Sequence, residues 1–93
     1  MVTAIILVNA ERDSINSVAE ALVNFDEISE VYSVGGRYDL VAISRVEKNE
    51  DLAELVTSHI ATIQGIRNTE TMIAFKTYSR HDLERMFSIG MEE

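Results

Sequence analysis

Three short runs of this chain are apolar at every consecutive position: Ala4, Ile5, Ile6, Leu7 and Val8; Leu40, Val41, Ala42 and Ile43; Met72, Ile73, Ala74 and Phe75. Each is of strand length and rich in strand-forming side chains. Successive side chains of a strand point to opposite faces, so a sheet built from these runs is apolar on both sides. A single layer of helices covers only one of them. The chain has 93 residues, enough for one core and too few for two. Soluble monomers rarely expose an apolar patch of several hundred Å², so a second copy is expected to cover the other face, sheet against sheet.

The remaining elements fall around these runs. Residues 2–9 form the first predicted strand. Asp13 or Ser14 caps a helix whose apolar residues Ile15, Val18, Ala19, Leu22 and Phe25 recur in steps of three and four, placing them on one face. Residues 28–34 read as a strand with Ile28, Glu30, Tyr32 and Val34 on one side and Ser29, Val31 and Ser33 on the other. Gly35 and Gly36 break it, and residues 38–46 resume as its hairpin partner, since glycine accepts the positive φ that tight connections need. Glu50 and Asp51 suit the positive end of a second helix, with Leu52, Leu55, Val56, His59, Ile60 and Ile63 at helical spacing and Gly65 as its left-handed stop. Residues 66–78 form the last predicted strand. Ser79 and Asp82 stand at capping-box spacing before a short helical tail carrying Leu83, Met86 and Phe87.

The order is βαββαβ plus a tail, with residues 1–78 as the domain and residues 79–93 as the tail. That order belongs to the ferredoxin-like α+β sandwich, an antiparallel sheet with both helices on one face. With the second copy added, it predicts a dimeric α+β barrel. The apolar residues Leu83, Met86, Phe87, Ile89 and Met91 supply a further sticky element that can clamp a partner or join dimers into a ring.

Composition narrows the function. Acidic residues number 16 against 8 basic, a formal charge of -8, and the cations are dispersed. Binding to nucleic acid draws on clustered Lys and Arg that displace counterions from phosphates, so neither direct nucleic-acid binding nor adsorption to an anionic membrane is expected. No cysteine is present, which removes disulfides, thiolate metal sites and a Cys nucleophile. The apolar start of the chain is short, lacks a basic flank and runs straight into Asn9, Ala10 and Glu11, so it reads as a buried strand, not a signal peptide or membrane span. A cytoplasmic location is the corresponding expectation.

No catalytic constellation emerges. His59 lies on the apolar face of the second helix, where a core role is the simpler reading, and His81 stands at the start of the tail. Neither has a metal-ligating neighbour four residues on, so no metal or cofactor is expected. One stretch differs: Ser33-Val34-Gly35-Gly36-Arg37-Tyr38-Asp39 sets a cation, a phenol and a carboxylate directly after two glycines. It can be a plain turn in which Asp39 pairs with Arg37 or caps backbone N–H groups. It can also be a zwitterion pocket, with Asp39 holding an ammonium group while Arg37 and backbone N–H groups hold a carboxylate. Thr69 and Thr71 share one side of the last strand and can add hydroxyl contacts.

The element order, the two-faced sheet and this hairpin together resemble the effector-binding (RAM) domain of the Lrp/AsnC transcription regulators. The residues from Val31 to Val41 are similar to the family's V-x-x-x-x-G-x-Y/F-D hairpin. Ile63, Gly65, Ile66, Thr69 and Thr71 are similar to its I-x-x-[LP]-P-G-V-x-x-T-x-T entry to the last strand, with Gln64 in place of the proline. The resemblance implies a dimer joined through the sheets and an amino-acid effector bound between dimers near Gly35, Arg37, Tyr38 and Asp39, with Thr69 and Thr71 as lesser contacts. Regulators of the family carry a helix-turn-helix domain before this one, and this chain starts at the first strand, so it looks like the stand-alone form. That form implies effector sensing, or modulation of full-length regulators by mixed assembly. The rival reading is a small dimeric enzyme of the monooxygenase or isomerase type, with His59 in a cavity between helices and sheet.

Overall fold

In the computed structural model, residues 1–80 are described. Strands β1 (Val2–Ala10), β2 (Ile28–Ser33), β3 (Leu40–Val46) and β4 (Ile66–Ala74) form one four-stranded antiparallel sheet in the order β2-β3-β1-β4. Helix α1 (Ile15–Val23) joins β1 to β2. Helix α2 (Asn49–Glu54) continues into a π turn (Leu55–His59) and a 3-10 turn (Ile60–Thr62) before β4. The expected ferredoxin-like α+β sandwich is present, and the tail helix assigned from sequence lies, apart from its first residues, outside the described residues.

The core follows from strand alternation. Ala4, Ile6, Val8 and Ala10 of β1 and Leu40, Ala42 and Val46 of β3 are buried on the helix side, against Val18 and Leu22 of α1 and Leu52, Leu55 and Ile60 of the second helical run. The intervening residues Ile5, Leu7, Val41 and Ile43 pair across β1 and β3 on the opposite face, Ile5 with Ile43 and Leu7 with Val41. No element lies over them among the described residues, so the sheet has one covered and one open apolar face.

Local geometry departs from the simple periodic reading in four places. A register shift between Ile28 and Glu30 puts Ile28 and Val31 on the helix side while Glu30 and Tyr32 face the open side, so Ile28 does not share a side with Glu30 and Tyr32. An irregularity of this kind inserts a residue and resets the alternation. Strand β3 begins at Leu40, because Arg37, Tyr38 and Asp39 belong to the connection, and β4 ends at Ala74. The second helix is not one regular cylinder: it widens after Glu54 and tightens at Ile60, so that Leu52, Leu55 and Ile60 all reach the core.

Gly65 fixes the junction between α1 and β4. Its φ is +98°, and an added Cβ would stand 2.6 Å from Ser14 Cβ and 3.2 Å from Val18 Cγ2. The Gly65 carbonyl accepts a hydrogen bond from the Glu11 N–H at 2.7 Å, closing the end of β1 against the same turn.

Candidate functional site

The β2–β3 hairpin is tied down by Asp39. Its base is closed by the Val34 N–H donating to the Asp39 carbonyl at 3.1 Å. The Asp39 N–H donates to the Val8 carbonyl at 3.0 Å, and its side-chain Oδ2 accepts from the Ala10 N–H at 2.9 Å. Beyond the last paired residues of β1 and β3, a carboxylate thus takes the place of a carbonyl in the ladder. Of the two plain turn readings, capping of a backbone N–H is the one found. A carboxylate offers about four lone-pair positions, so this bond leaves it further acceptor capacity.

The tip stands in open space. Gly36 has φ +118°, and a Cβ placed at Gly35 or Gly36 would meet nothing within 4 Å. Arg37 is exposed beside them. Tyr38 is half-buried and reaches across β1, its hydroxyl donating to Glu70 Oε2 of β4 at 3.0 Å. Glu70 pairs with Leu7 on the open face. The carboxylate that accepts this bond holds the Tyr38 hydroxyl above its ordinary pKa of 10.0, because ionising the phenol would break the bond and set two anions together. Tyr32 and Glu30 repeat the arrangement on β2 at 2.7 Å, with the same upward direction for the phenol.

Thr69 and Thr71 pair with Val8 and Ile6, which places them on the helix side of β4, both half-buried. The hairpin group and the threonine pair therefore lie on two sides of β4: Glu70, which Tyr38 reaches, faces away from the helices, and the threonines face toward them. Thr71 lines a mostly apolar cleft of about 330 Å³ between the second helical run and β4, together with Leu52, Ala53, Val56 and Ile73. Glu70 and the Ala10 N–H are the partners that residue-type reasoning passed over. The signal for Glu70 was its alternation with Thr69 and Thr71, but the bond spans 32 positions of sequence.

A second cleft of about 330 Å³ is lined by Asp26, Glu27, Glu47, Asp51 and Glu54 with Arg45. Among the described residues no group of three or more His, Cys, Asp or Glu side chains is arranged to hold a metal ion. His59 lines neither cleft. Its ring stacks on Phe25 with centroids 5.2 Å apart and planes 13° from parallel, and its Nδ1 lies 3.4 Å from Glu27 Oε2, outside hydrogen-bond geometry. Stacking against an aromatic ring, between the α1–β2 connection and the second helical run, is a packing role. No helix among the described residues is long and apolar enough to cross a membrane.

A sheet layered on one side by two helical runs, open on the other, with its β2–β3 hairpin pinned to the central strand, defines the class of ferredoxin-like α+β modules. The profile of the Lrp/AsnC ligand binding domain matches residues 3–83, and the chain belongs to that family. The HTH-type transcriptional regulator FL11 of Pyrococcus abyssi is 37% identical over 75 residues, covering 81% of this chain and 49% of the regulator. The chain thus spans about half the length of the curated relatives it matches. Among solved structures, TTHA0845 from Thermus thermophilus superposes with a TM-score of 0.81 at 39% identity, over 86% of this chain and 100% of that one. A transcriptional regulator from Neisseria meningitidis, solved as an L-Met complex, shares the fold with a TM-score of 0.77 at 14% identity, over 85% of this chain and 53% of that one.

Proposed function

We propose that this chain is an amino-acid-sensing module of the Lrp/AsnC family, taking its effector at the β2–β3 hairpin where subunits meet, and acting on transcription through assembly with full-length regulators. The observation that carries the reading is the hairpin: an exposed cation, Arg37, beside two glycines with nothing within 4 Å of their Cβ positions, and carboxylates at Asp39 and Glu70 fixed by hydrogen bonds. A zwitterion needs a cation and backbone N–H groups for its carboxylate and an acceptor for its ammonium, and the hairpin supplies both chemistries. The L-Met bound by the Neisseria regulator of the same fold supports an amino acid as the ligand class. Gly35, Arg37, Tyr38 and Asp39 form the core of the site, with Glu70 added by its bond to Tyr38. Thr69 and Thr71, on the other side of β4, contribute only from a neighbouring subunit or through the α2–β4 cleft.

The module works as a dimer packed through the open face of the sheet, and in a larger ring the hairpins of adjacent dimers complete each pocket. We read it as a regulator in preference to an enzyme: the relatives are named as transcriptional regulators, and His59, the one candidate on which the enzyme reading rested, packs on Phe25 and lines neither cleft.

Isothermal titration of the full chain with each of the twenty amino acids tests the site. At least one is expected to bind, and Arg37→Gln is expected to weaken it tenfold or more at unchanged oligomeric mass. Asp39→Asn is the companion variant, because an amide oxygen keeps an acceptor for the Ala10 N–H while the charge is lost. Equal affinity in both variants would refute the hairpin as the site.

A further inference from the structure

Two carboxylates stand at the hairpin, and they are held in different ways. Asp39 is half-buried, and its Oδ2 accepts from the Ala10 N–H at 2.9 Å. Ala10 is 4% exposed, so its N–H depends on that carboxylate for a partner. The Asp39 N–H donates to the Val8 carbonyl, so backbone and side chain together clamp Asp39 to the end of β1. Glu70 is exposed on β4, an edge strand of the sheet. Its carboxylate is aimed by the Tyr38 hydroxyl at 3.0 Å and stays open to solvent.

The charges group around the same hydroxyl. Glu70 raises the Tyr38 phenol above its ordinary 10.0, chiefly through the hydrogen bond it accepts, and the Arg37 guanidinium acts on that phenol in the opposite direction. Exposed charges influence one another over ~8 Å at physiological salt. A cation and a carboxylate therefore flank one phenol. The two charged groups of an α-amino acid share one carbon, so a receptor must set its donors and its acceptor on either side of one small space. The glycines beside Arg37 leave that space open, since a Cβ at Gly35 or Gly36 would meet nothing within 4 Å. In the next row of the sheet Asn9 pairs with Asn68, so the surface between Glu70 and the hairpin end is polar.

We infer that Glu70 is the acceptor of the effector's α-ammonium group, with Arg37 opposite it on the carboxylate and the Tyr38 hydroxyl between them, and that Asp39 is a positioning residue that holds the hairpin on β1. The assignment rests on the hairpin being the effector site, and it divides the work of the two carboxylates there. Glu70 touches the ligand, whereas Asp39 acts through its chain neighbours Arg37 and Tyr38.

Comparing an amino acid with the acid that lacks its α-ammonium separates the two roles. The full chain and its variants are titrated calorimetrically with the twenty amino acids. Each that binds is matched with its des-amino acid, as isocaproate for L-leucine or hydrocinnamate for L-phenylalanine. Glu70→Gln keeps an oxygen for the Tyr38 hydroxyl and loses the charge, so the preference for the amino acid over its des-amino acid is expected to fall at least tenfold. Glu70→Asp keeps the charge and should restore part of that preference. Asp39→Asn is expected to weaken both probes by a common factor and so to keep the preference. A preference that falls in Asp39→Asn as far as in Glu70→Gln, or farther, would overturn the division, with the hairpin still the site. A preference unchanged in both variants would overturn it as well. No binding of any of the twenty to the unmodified chain would remove the hairpin site itself, and this assignment with it.

Discussion

Gly65 shows how much a single side chain decides here. Its φ of +98° is open to glycine and costs an L-residue roughly 1–2 kcal/mol. The crowding adds to this, because a Cβ 2.6 Å from Ser14 Cβ forces the start of α1 away from the turn before β4. Gly65→Ala is therefore expected to lower unfolding free energy by at least ~2 kcal/mol, since both penalties act at once. Urea denaturation followed by circular dichroism measures it. Combining the change with Ser14→Gly removes the closest contact and should recover part of the loss, leaving the backbone penalty. An unchanged midpoint in Gly65→Ala would mean that the junction relaxes freely. The left-handed role was legible from the sequence, because a glycine ended an apolar helical period. The close approach of Ser14 was not, because it depends on packing between segments about fifty positions apart.

At the scale of elements, the hydrophobic periods located both helical runs and all four strands, because alternation and the 3.6-residue repeat are imposed by burial itself. They failed where the backbone leaves a regular repeat. Leu55, Ile60 and Ile63 look like successive turns of one helix, yet the chain passes through a π turn and a 3-10 turn to bring them to the core. Alternation along β2 misplaced Ile28 relative to Glu30 and Tyr32, because the register shift is invisible in residue type. The hairpin divides in the same way. Its glycines and charged residues stood out, but the long-range bonds of Asp39 to Ala10 and Tyr38 to Glu70 emerge only from the sheet. The latter bond has a pH signature. Tyr38 is raised above the ordinary 10.0 chiefly by donating to Glu70, so its contribution is complete below the unfolded tyrosine pKa and is lost as pH rises through the higher folded value. Alkaline titration of tyrosinate absorbance is expected to show two late-ionising phenols, Tyr38 and Tyr32, of which Tyr38→Phe removes one and Glu70→Ala shifts the Tyr38 component down. A Tyr38 component, identified by its loss in Tyr38→Phe, that ionises at the same pH with and without Glu70→Ala would show that the cross-strand tie does not persist in solution.

For the whole molecule the governing fact is the one that the apolar runs announced: the sheet has two apolar faces and the described chain covers one. Ile5 lies at the middle of the open face, flanked by Ile43 on β3 and Met72 on β4, and Met72 is 44% exposed. A second copy brought up by a two-fold axis places this strip against its own counterpart, an isologous contact in which every residue is used twice. Ile5→Glu would then introduce two carboxylates into one dry interface. The cost of burying an ion without a partner is several kcal/mol each, enough to dissociate a dimer at micromolar concentration. In a single chain the same face meets water, and the carboxylate is solvated there, so the fold is expected to survive. Sedimentation velocity should report twice the 10.4 kDa chain mass, or a higher multiple, for the unmodified protein and a shift toward the single chain for Ile5→Glu. Ile5→Thr keeps the β-branched shape and should fall between. Val23→Glu, on the exposed side of α1, should leave the mass unchanged. If Ile5→Glu keeps the parent mass, the open face is not what holds the assembly together, and the sheet-to-sheet dimer is refuted.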